Sequence, residues 1–565
     1  MKIPVRYLSL NPTTPNKNYW DMTMLRDLLS SKWARSPFGY EFEEVDHDDF
    51  DGGIIVFPAR AQVEQLDKLQ EYIMGLRWCI IMFTGDEEGV FPFEKLQHPN
   101  MHMYVMSPRR TKRYENVSFL GTGYAPSVDQ LPKKMPKKIY DYFFIGQVTH
   151  ERRQEMAQAI GDMLATKDYK GRYVAYDNFT GQTPPREYIN ELAQAKIAYC
   201  PSGPETPDTF RLFEALEAGC VPIADTRVPS NKDNAEFGDE YWEYFFDETI
   251  PFPVIRDYGS LAGYTQDVLD NYDEISVQVG SWWMRVKHKW AIALNEHVYR
   301  LSELDPIIVE DVTVLMPTSP VVSHPSTHII DETIENTMKH FHEPVQMIIM
   351  ADGLRDETYA KKYSEYLRRL MWSCNRSNTP RLVLAHKTHQ HQSLMTREAL
   401  GYVTTKTILF VEHDAPLVPD YEFNFDQLTQ PILAGDAYVI RFHHEALVLD
   451  EHRHLMIDQP TIISSVPLWR TRQWSQRPHL ASAEFYRTML RAYFEPEART
   501  MIEDVMHGVV DSKVEDGGMM AWYEFRLWMY YPAITDKTAN IKRSYHLDAR
   551  GGDKKVIDAD TVVDL

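Results

Sequence analysis

The stretch Tyr199–Thr226, "YCPSGPETPDTFRLFEALEAGCVPIADT", decides how the chain is read. It opens as an apolar strand and passes through a Pro/Gly/Thr loop. It then becomes a helix that stops at Gly219 and re-enters a second apolar strand. A strand, a polar loop, a helix and a further buried strand make one β–α–β step of a parallel sheet. In such sheets ligands bind beyond the carboxyl ends of the strands. The loop and the first turn of the following helix are therefore where chemistry is expected. Thr209 stands where it could cap that helix. Arg211 and Glu214 lie one turn apart and share a helix face. A carboxylate there can hold sugar or ribose hydroxyls, and a guanidinium can neutralise a departing diphosphate. The plain alternative is an i,i+3 ion pair on a surface helix.

The same alternation recurs on both sides. Upstream, "IPVRYLSL", "GGIIVFPA", "CIIMFTG" and "MHMYVMS" read as strands around the amphipathic "QVEQLDKLQEYIMGL". "YDYFFIGQ", "YVAYDN", "KIAYCPSG" and "CVPIADT" form a second set, with "ERRQEMAQAIGDML" and "PREYINELAQA" as helices, and a long helical run closes it near Leu304. A third set begins at "DVTVLMPTSP", followed by "THIIDETIENTMKHF", "VQMIIMADG" and "TKTILFVEHDAPL". The fold class expected is α/β, with three Rossmann-like units at 1–137, 138–305 and 306–565.

Length and charge bound the function. A chain of 565 residues is too long for one core. Its 60 Lys and Arg against 82 Asp and Glu give a net charge of −22, which argues against a broad nucleic-acid footprint. A local basic excess from Arg109 to Lys138 could meet phosphates, or serve as a solvated linker around "LPKKMPKK". The four Cys are scattered, without a CxxC pair, and read as reduced core residues. No apolar run has the roughly 18 residues of a membrane span, and no signal-peptide pattern opens the chain. The expectation is a cytoplasmic protein without a membrane span. Aromatics at 12% are read mainly as core filling.

"FFIGQVTHERRQEM" places Gly146 after a strand and a helix start near Glu151, where backbone could approach an anion and Arg152 or Arg153 could add charge. "CPSGPETPDTFRLFEALEAGCVPIADT" resembles the donor-binding segment of exostosin-like glycosyltransferases: a Pro-Gly loop, Ser/Thr-x-Arg-x-x-Glu-Ala-Leu, then Gly-Cys-x-Pro-Val. The resemblance covers about 25 residues. It implies a GT-B pair of Rossmann-like halves over 1–304, with the nucleotide sugar in the second half. It places Thr209, Arg211 and Glu214 at the donor, and Gly146 with Arg152 at its phosphates. The first half matches no family motif; Asp21, His47 and Asp86 lie near its loops as unranked candidates.

The third set resembles family-2-like GT-A glycosyltransferases. "TVLMPTSP" is similar to their opening strand, which places Thr318 at the donor, and "VQMIIMADGLRDET" is similar to the strand whose Asp352 would meet the nucleotide base or ribose. "TREALGYVTTKTILFVEHDAPLVPD" is similar to the approach to their Asp-x-Asp metal motif, here Glu412-His413-Asp414. In an extended segment i and i+2 point the same way, so Glu412 and Asp414 could both reach one Mn²⁺ or Mg²⁺. His546, in the polar tail "NIKRSYHLDARGG", is a further candidate ligand. Transfer also needs a base for the acceptor hydroxyl. "MIEDVMHG" and "KVEDGGMM" offer Asp504 and Asp516; Asp504 is preferred, because its apolar neighbours suggest a carboxylate made basic by burial. His443 and His444, adjacent on a strand, point to opposite faces and are read as core residues rather than a metal pair.

The functional expectation is a glycosyltransferase, hexosyl or pentosyl, with two nucleotide-sugar sites acting in sequence on a glycan acceptor. Two alternatives stay open. The acceptor could be a 5-hydroxymethylpyrimidine base in DNA. One module could instead be a non-catalytic scaffold that binds sugar or acceptor.

Overall fold

A computed structural model describes residues 1–11, 22–46, 50–106, 114–178, 183–230, 240–304, 312–535 and 542–547. The chain divides into two compact units: Met1–Ile307 with Met371–Asn378, and Ile308–Leu370 with Thr379–Leu565.

The first unit holds two wholly parallel sheets. One contains β1 (Lys2–Tyr7), β2 (Glu41–Glu44), β3 (Gly52–Pro58), β4 (Trp78–Thr84), β5 (Met101–Val105) and β6 (Val117–Phe119), in the order β2-β1-β3-β4-β5-β6. Its central strands β3 and β4 are buried along their whole length, which is why they read as unbroken apolar runs. The other contains β7 (Tyr140–Gln147), β8 (Gly171–Tyr176), β9 (Ala195–Cys200), β10 (Val221–Asp225) and β11 (Val254–Ile255), ordered β11-β10-β9-β7-β8. Strand order reverses between β7 and β9, so the ligand crevice of this sheet opens there.

The quoted stretch forms β9, a loop, the helix Phe210–Glu217 and β10. Gly219 ends that helix in the left-handed region (φ 63°). The Cys220 amide donates to the Ala215 carbonyl and the Gly219 amide to Leu216, a full Schellman closure. Residues 211–217 are all buried, so this is not the surface helix that a simple ion pair would decorate. The long Tyr272–Ser302 helix closes the unit, with Trp282 and Trp283 in the core beside Trp242. The four cysteines are free and buried.

The second unit is again α/β, in line with the fold class expected. Its nine-stranded sheet is mixed: β12 (Val312–Thr318), β13 (Met347–Ala351), β14 (Arg381–Ala385), β15 (Thr407–Phe410), β16 (Val439–Arg441), β17 (Met456–Ile463), β18 (Val466–Thr471), β19 (His479–Ser482) and β20 (Leu527–Tyr530). The order is β14-β13-β12-β15-β19-β16-β20-β18-β17. The first four strands are parallel; β19 runs antiparallel to both β15 and β16. The parallel part reverses order between β12 and β15, the strands that end at Thr318 and just before Glu412. No helix among the described residues is long and apolar enough to cross a membrane.

Candidate active sites

In the first unit the carboxyl ends of β7 and β9 are occupied by two arginines. Arg153, in the helix Glu151–Thr166, donates to the carbonyls of Gln147 (3.3 Å) and Ser202 (3.3 Å). Arg211 donates to the carbonyl of Ile145 (2.9 Å), lies over the Phe144 ring (4.7 Å), and leaves its Nε without a partner. Both guanidiniums are buried, and neither makes an ion pair with a carboxylate among the described residues. Burial and the neighbouring Arg211 push the Arg153 guanidinium down to about 9. Two desolvated like charges facing one strand-end crevice favour an anion there. The buried Ser202 hydroxyl and both His150 ring nitrogens also lack hydrogen-bond partners.

Arg152 takes a different part from the phosphate role expected of it. It forms a two-pronged pair with Asp225 (3.1 and 2.8 Å), donates to the Arg256 carbonyl and stacks on Tyr258. Consecutive helix residues point about 100° apart. That rotation sends Arg152 to the β10 side and Arg153 to the strand ends. A 710 Å³ cavity lined by Arg152, Arg256 and Tyr258 does not include Arg153. Thr209 stands at the N-cap position but makes no side-chain capping bond. Gly146 gives its space to a neighbouring side chain: a Cβ would fall on the Arg211 Nη2, with Cζ 3.3 Å away.

Glu214 accepts from the Tyr188 hydroxyl (2.9 Å) rather than pairing with Arg211. Burial pushes its carboxyl up to about 7, against the opposing pull of Tyr188, Arg211 and the Ala125 amide. Asp86 accepts from the Val90 amide (2.8 Å) and shapes its own loop. Glu87 beside it is raised by burial, and its carbonyl accepts from Thr206 (3.4 Å). Asp21, His47 and Arg109–Arg113 lie outside the described residues. Lys133, Lys134 and Lys137 are exposed, as a solvated linker requires.

In the second unit Thr318 ends β12 with its hydroxyl against the Tyr366 hydroxyl (2.9 Å). Asp352, at the end of β13, accepts from the amides of Gly353 (2.8 Å), Gln390 (2.7 Å) and His391 (3.2 Å) and faces His389 Nδ1 (2.8 Å). It thereby anchors the start of the helix His391–Ala399. Glu412 accepts from Gln392 (2.6 Å) and is pushed up to about 8, by burial first and then by Asp414. Glu503 also raises it, and accepts from the Gln476 amide (3.2 Å).

The three-ligand set Glu412, Asp414 and His546 is not assembled. Among the described residues no group of three His, Cys, Asp or Glu could hold a metal. The Ala415 amide donates to the Glu412 carbonyl (3.0 Å), so the chain turns here, and Asp414 stays close enough to Glu412 to raise its carboxyl. The C-terminal segment does reach the site, because the Leu547 amide donates to the Asp414 carbonyl (2.9 Å) and places His546 alongside. What remains is a two-carboxylate arrangement with Glu503 within electrostatic reach. Hard oxygen donors of this kind fit Mg²⁺ or Mn²⁺ whose other ligands come from a diphosphate.

The candidate bases differ from expectation in one respect. Asp504 lies in the first turn of the helix Ile502–Phe525, as its apolar neighbours indicated, but is exposed; Glu503 faces inward instead. Asp504 therefore lacks the buried setting expected of it. Asp516 is exposed and three turns further on, about 18 Å along the axis. His443 is buried, and burial drives it down to about 3. Sequence reading missed Arg477, which lies within electrostatic reach of Glu412, Glu503 and Asp414. The only hint was a charged residue just before the apolar start of β19.

No family profile matches the chain, and no curated protein does. Among solved structures it is similar to TarS of S. aureus, with 13% identity over 42% of this chain and 36% of TarS and a TM-score of 0.27. Glucosyl-3-phosphoglycerate synthase from Mycobacterium tuberculosis, with Mn²⁺, UDP and glucosyl-3-phosphoglycerate, matches at 13% over 42% of this chain and 73% of that one, TM-score 0.25. The mannosyltransferase PcManGT of Pyrobaculum calidifontis, with GDP-Man and Mn²⁺, matches at 15% over 44% and 65%, TM-score 0.26. The chain thus spans about a third of the length of TarS. TM-scores this low leave the function to be read from the chain's own residues.

Proposed function

We propose that the chain is a glycosyltransferase with two nucleotide-sugar sites, a GT-B-like one built from 1–137 and 138–305 and a GT-A-like one in 306–565. The observation that carries this is two charged clusters of opposite character, a buried arginine pair and a half-buried carboxylate group, each at the order reversal of a run of parallel strands. Transfer from a nucleotide sugar builds negative charge on the departing diphosphate, which must be compensated. In the first unit Arg153 and Arg211 supply that compensation directly. In the second, Glu412 and Asp414 would hold a divalent cation, which when bound neutralises the departing nucleotide. Asp504, solvent-facing beside this cluster, takes the acceptor hydroxyl's proton. Glu503, held by the Gln476 amide, fixes the first turn that presents it.

A second reading has its own support. In the first unit Asp86, Asp208, Glu214 and Asp225 are each engaged by hydrogen bonds to Val90, Thr122, Tyr188 and Arg152. A unit whose buried strand-end acids Asp86, Asp208, Glu214 and Asp225 are engaged in this way suits a binding scaffold better than a catalyst.

Thermal stabilisation by UDP-, GDP-, CMP- and TDP-sugars, with and without Mn²⁺, separates the two. Two shifts are expected: one Mn²⁺-dependent and lost in Asp414→Ala, the other metal-independent and lost in Arg153→Gln. Sugar transfer abolished by Asp414→Ala alone would assign the first unit as scaffold. Absence of any nucleotide-sugar shift would sink the proposal.

A further inference from the structure

The first unit carries one strand-end acid that the donor chemistry above does not use. Strand β4 ends at Thr84, and the chain turns sharply after it. Gly85 and Gly89 lie in the left-handed region (φ 64° and 62°), and the Gly89 amide donates to the Asp86 carbonyl (2.9 Å). Asp86 fixes this turn by accepting from the amides of Val90 (2.8 Å) and Phe91 (3.2 Å). Glu87 and Glu88 are therefore held at the tip of a fixed turn. Glu88 takes the Arg60 guanidinium at 2.9 Å, which leaves Glu87 3.9 Å from it. The Glu87 side chain is 32% exposed, and its carboxylate accepts no hydrogen bond among the described residues.

This turn is fastened to the arginine crevice. The Thr206 hydroxyl donates to the Glu87 carbonyl (3.4 Å), and the Thr206 carbonyl accepts from the Gly203 amide (2.9 Å) in the loop that follows β9. Ser202, one residue earlier, gives its carbonyl to Arg153 (3.3 Å). The Thr122 amide ties the same loop through Asp208 (2.9 Å). Glu87 thus reaches the crevice from the first sheet, while Arg153 and Arg211 reach it from the second. Arg153 and the Glu87 carboxylate lie within electrostatic reach of each other. Burial holds that carboxyl above its ordinary range; Arg60 and Arg153 oppose the rise, and Glu88 and Asp86 add to it. A carboxylate that is half-buried, free of hydrogen bonds and made more basic by its setting is suited to taking up a proton.

We infer that Glu87 is the proton acceptor of the first unit, taking the proton of an acceptor hydroxyl that enters from the side of the first sheet. The inference rests on the nucleotide-sugar reading of this crevice. In the step, the hydroxyl oxygen bonds to the anomeric carbon as its proton passes to Glu87. The bond from that carbon to the leaving phosphate oxygen breaks, and its electron pair stays on the phosphate beside Arg153 and Arg211. The first unit is on this view a transferase in its own right and not a binding scaffold.

The test uses the full chain carrying Asp414→Ala, without Mn²⁺, so that only the first unit is loaded. Nucleotide release from UDP-, GDP-, CMP- and TDP-sugars is followed with water and glycerol as the hydroxyl, alongside the thermal shift that reports donor binding. Glu87→Gln should lower release about 10²–10⁴-fold, the usual span for a positioned acid–base group, and leave the shift unchanged. Glu87→Asp should keep part of the release. In the parent, release should rise with pH as the carboxyl loses its proton, and that rise should be absent from Glu87→Gln. Release unchanged in Glu87→Gln overturns the inference, as does donor bound without release in the parent. Loss of the shift together with release also overturns it, by placing Glu87 in the donor cradle. No shift in the parent refutes the nucleotide-sugar reading of the crevice, and the inference with it.

Discussion

Gly146→Ala probes the first strand-end site through a single methyl group. The new Cβ would fall on the Arg211 Nη2, so the guanidinium must leave the Ile145 carbonyl (2.9 Å) and the face of Phe144 (4.7 Å). A hydrogen bond to a charged group contributes about 1.5–3 kcal/mol and a desolvated cation–π contact about 0.5–2 kcal/mol. Replacing a strand glycine returns about 0.5–1 kcal/mol of backbone entropy. The net expectation is a loss of about 1–4 kcal/mol, confined to the first unit. In an Arg211→Ala background the obstacle is gone, and the same methyl should be neutral or stabilising by about 0.5–1 kcal/mol. The two substitutions should therefore be strongly non-additive. Scanning calorimetry reads this as a fall of at least about 2 °C for Gly146→Ala alone, at roughly 2–4 °C per kcal/mol for a unit of this size. Hydrogen exchange over β7 would localise it. Equal melting shifts for Gly146→Ala in both backgrounds would show that Arg211 does not fill the space beside Gly146.

Four other outcomes follow from the same structure. Asp225→Asn should destabilise the first unit by about 1.5–3 kcal/mol in calorimetry, because it weakens the two-pronged bond to buried Arg152, which keeps Glu155 as its other carboxylate, and it should leave nucleotide-sugar binding in the second unit unchanged. His102 and His297 stack with ring centroids 3.6 Å apart, and Tyr104 bonds His297 (2.9 Å). Burial lowers His102 to about 3 and His297 to about 4 from an ordinary 6.5. Their stabilising contribution is complete above pH 6.5 and is lost as pH falls towards 4, since the unfolded chain takes up protons that the folded one refuses. His297→Gln should flatten the pH dependence of the first unit's melting temperature. Asp504→Asn should change stability by less than about 0.5 kcal/mol, as befits an exposed residue, yet abolish transfer by the second unit, whereas Asp516→Asn should alter neither. Asp352→Asn should loosen the start of the 391–399 helix, seen as faster amide exchange at Gln390 and His391, because a neutral amide accepts those bonds more weakly.

Much of the architecture was legible because it rests on local pattern. Fully buried parallel strands leave unbroken apolar runs, and "GGIIVFP" and "WCIIMFT" could hardly be anything else. A glycine after "FEALEA" ends a helix wherever the chain goes next, and Gly219 does so. The strand-end location of both candidate sites follows from the β–α–β alternation alone. The antiparallel half of the third sheet was less visible. Its strands are short and come together out of sequence order, β19 between β15 and β16, so nothing within one window announces them.

The assignment of individual side chains was decided only by the fold. Sequence offers Arg152 and Arg153 as equals; the rotation of one helix relative to β10 gives the first to Asp225 and the second to the crevice. It offers Glu503 and Asp504 as a pair, and packing against Gln476 turns one in and leaves the other in water. It offers Glu412 and Asp414 as an alternating pair, and the fold adds Glu503 and Arg477, from far along the chain, to their surroundings. Periodicity is a property of neighbours along the chain, so the sequence carries it. The partner that a charged group finds depends on residues dozens of positions away, and only tertiary packing brings them within a few ångströms.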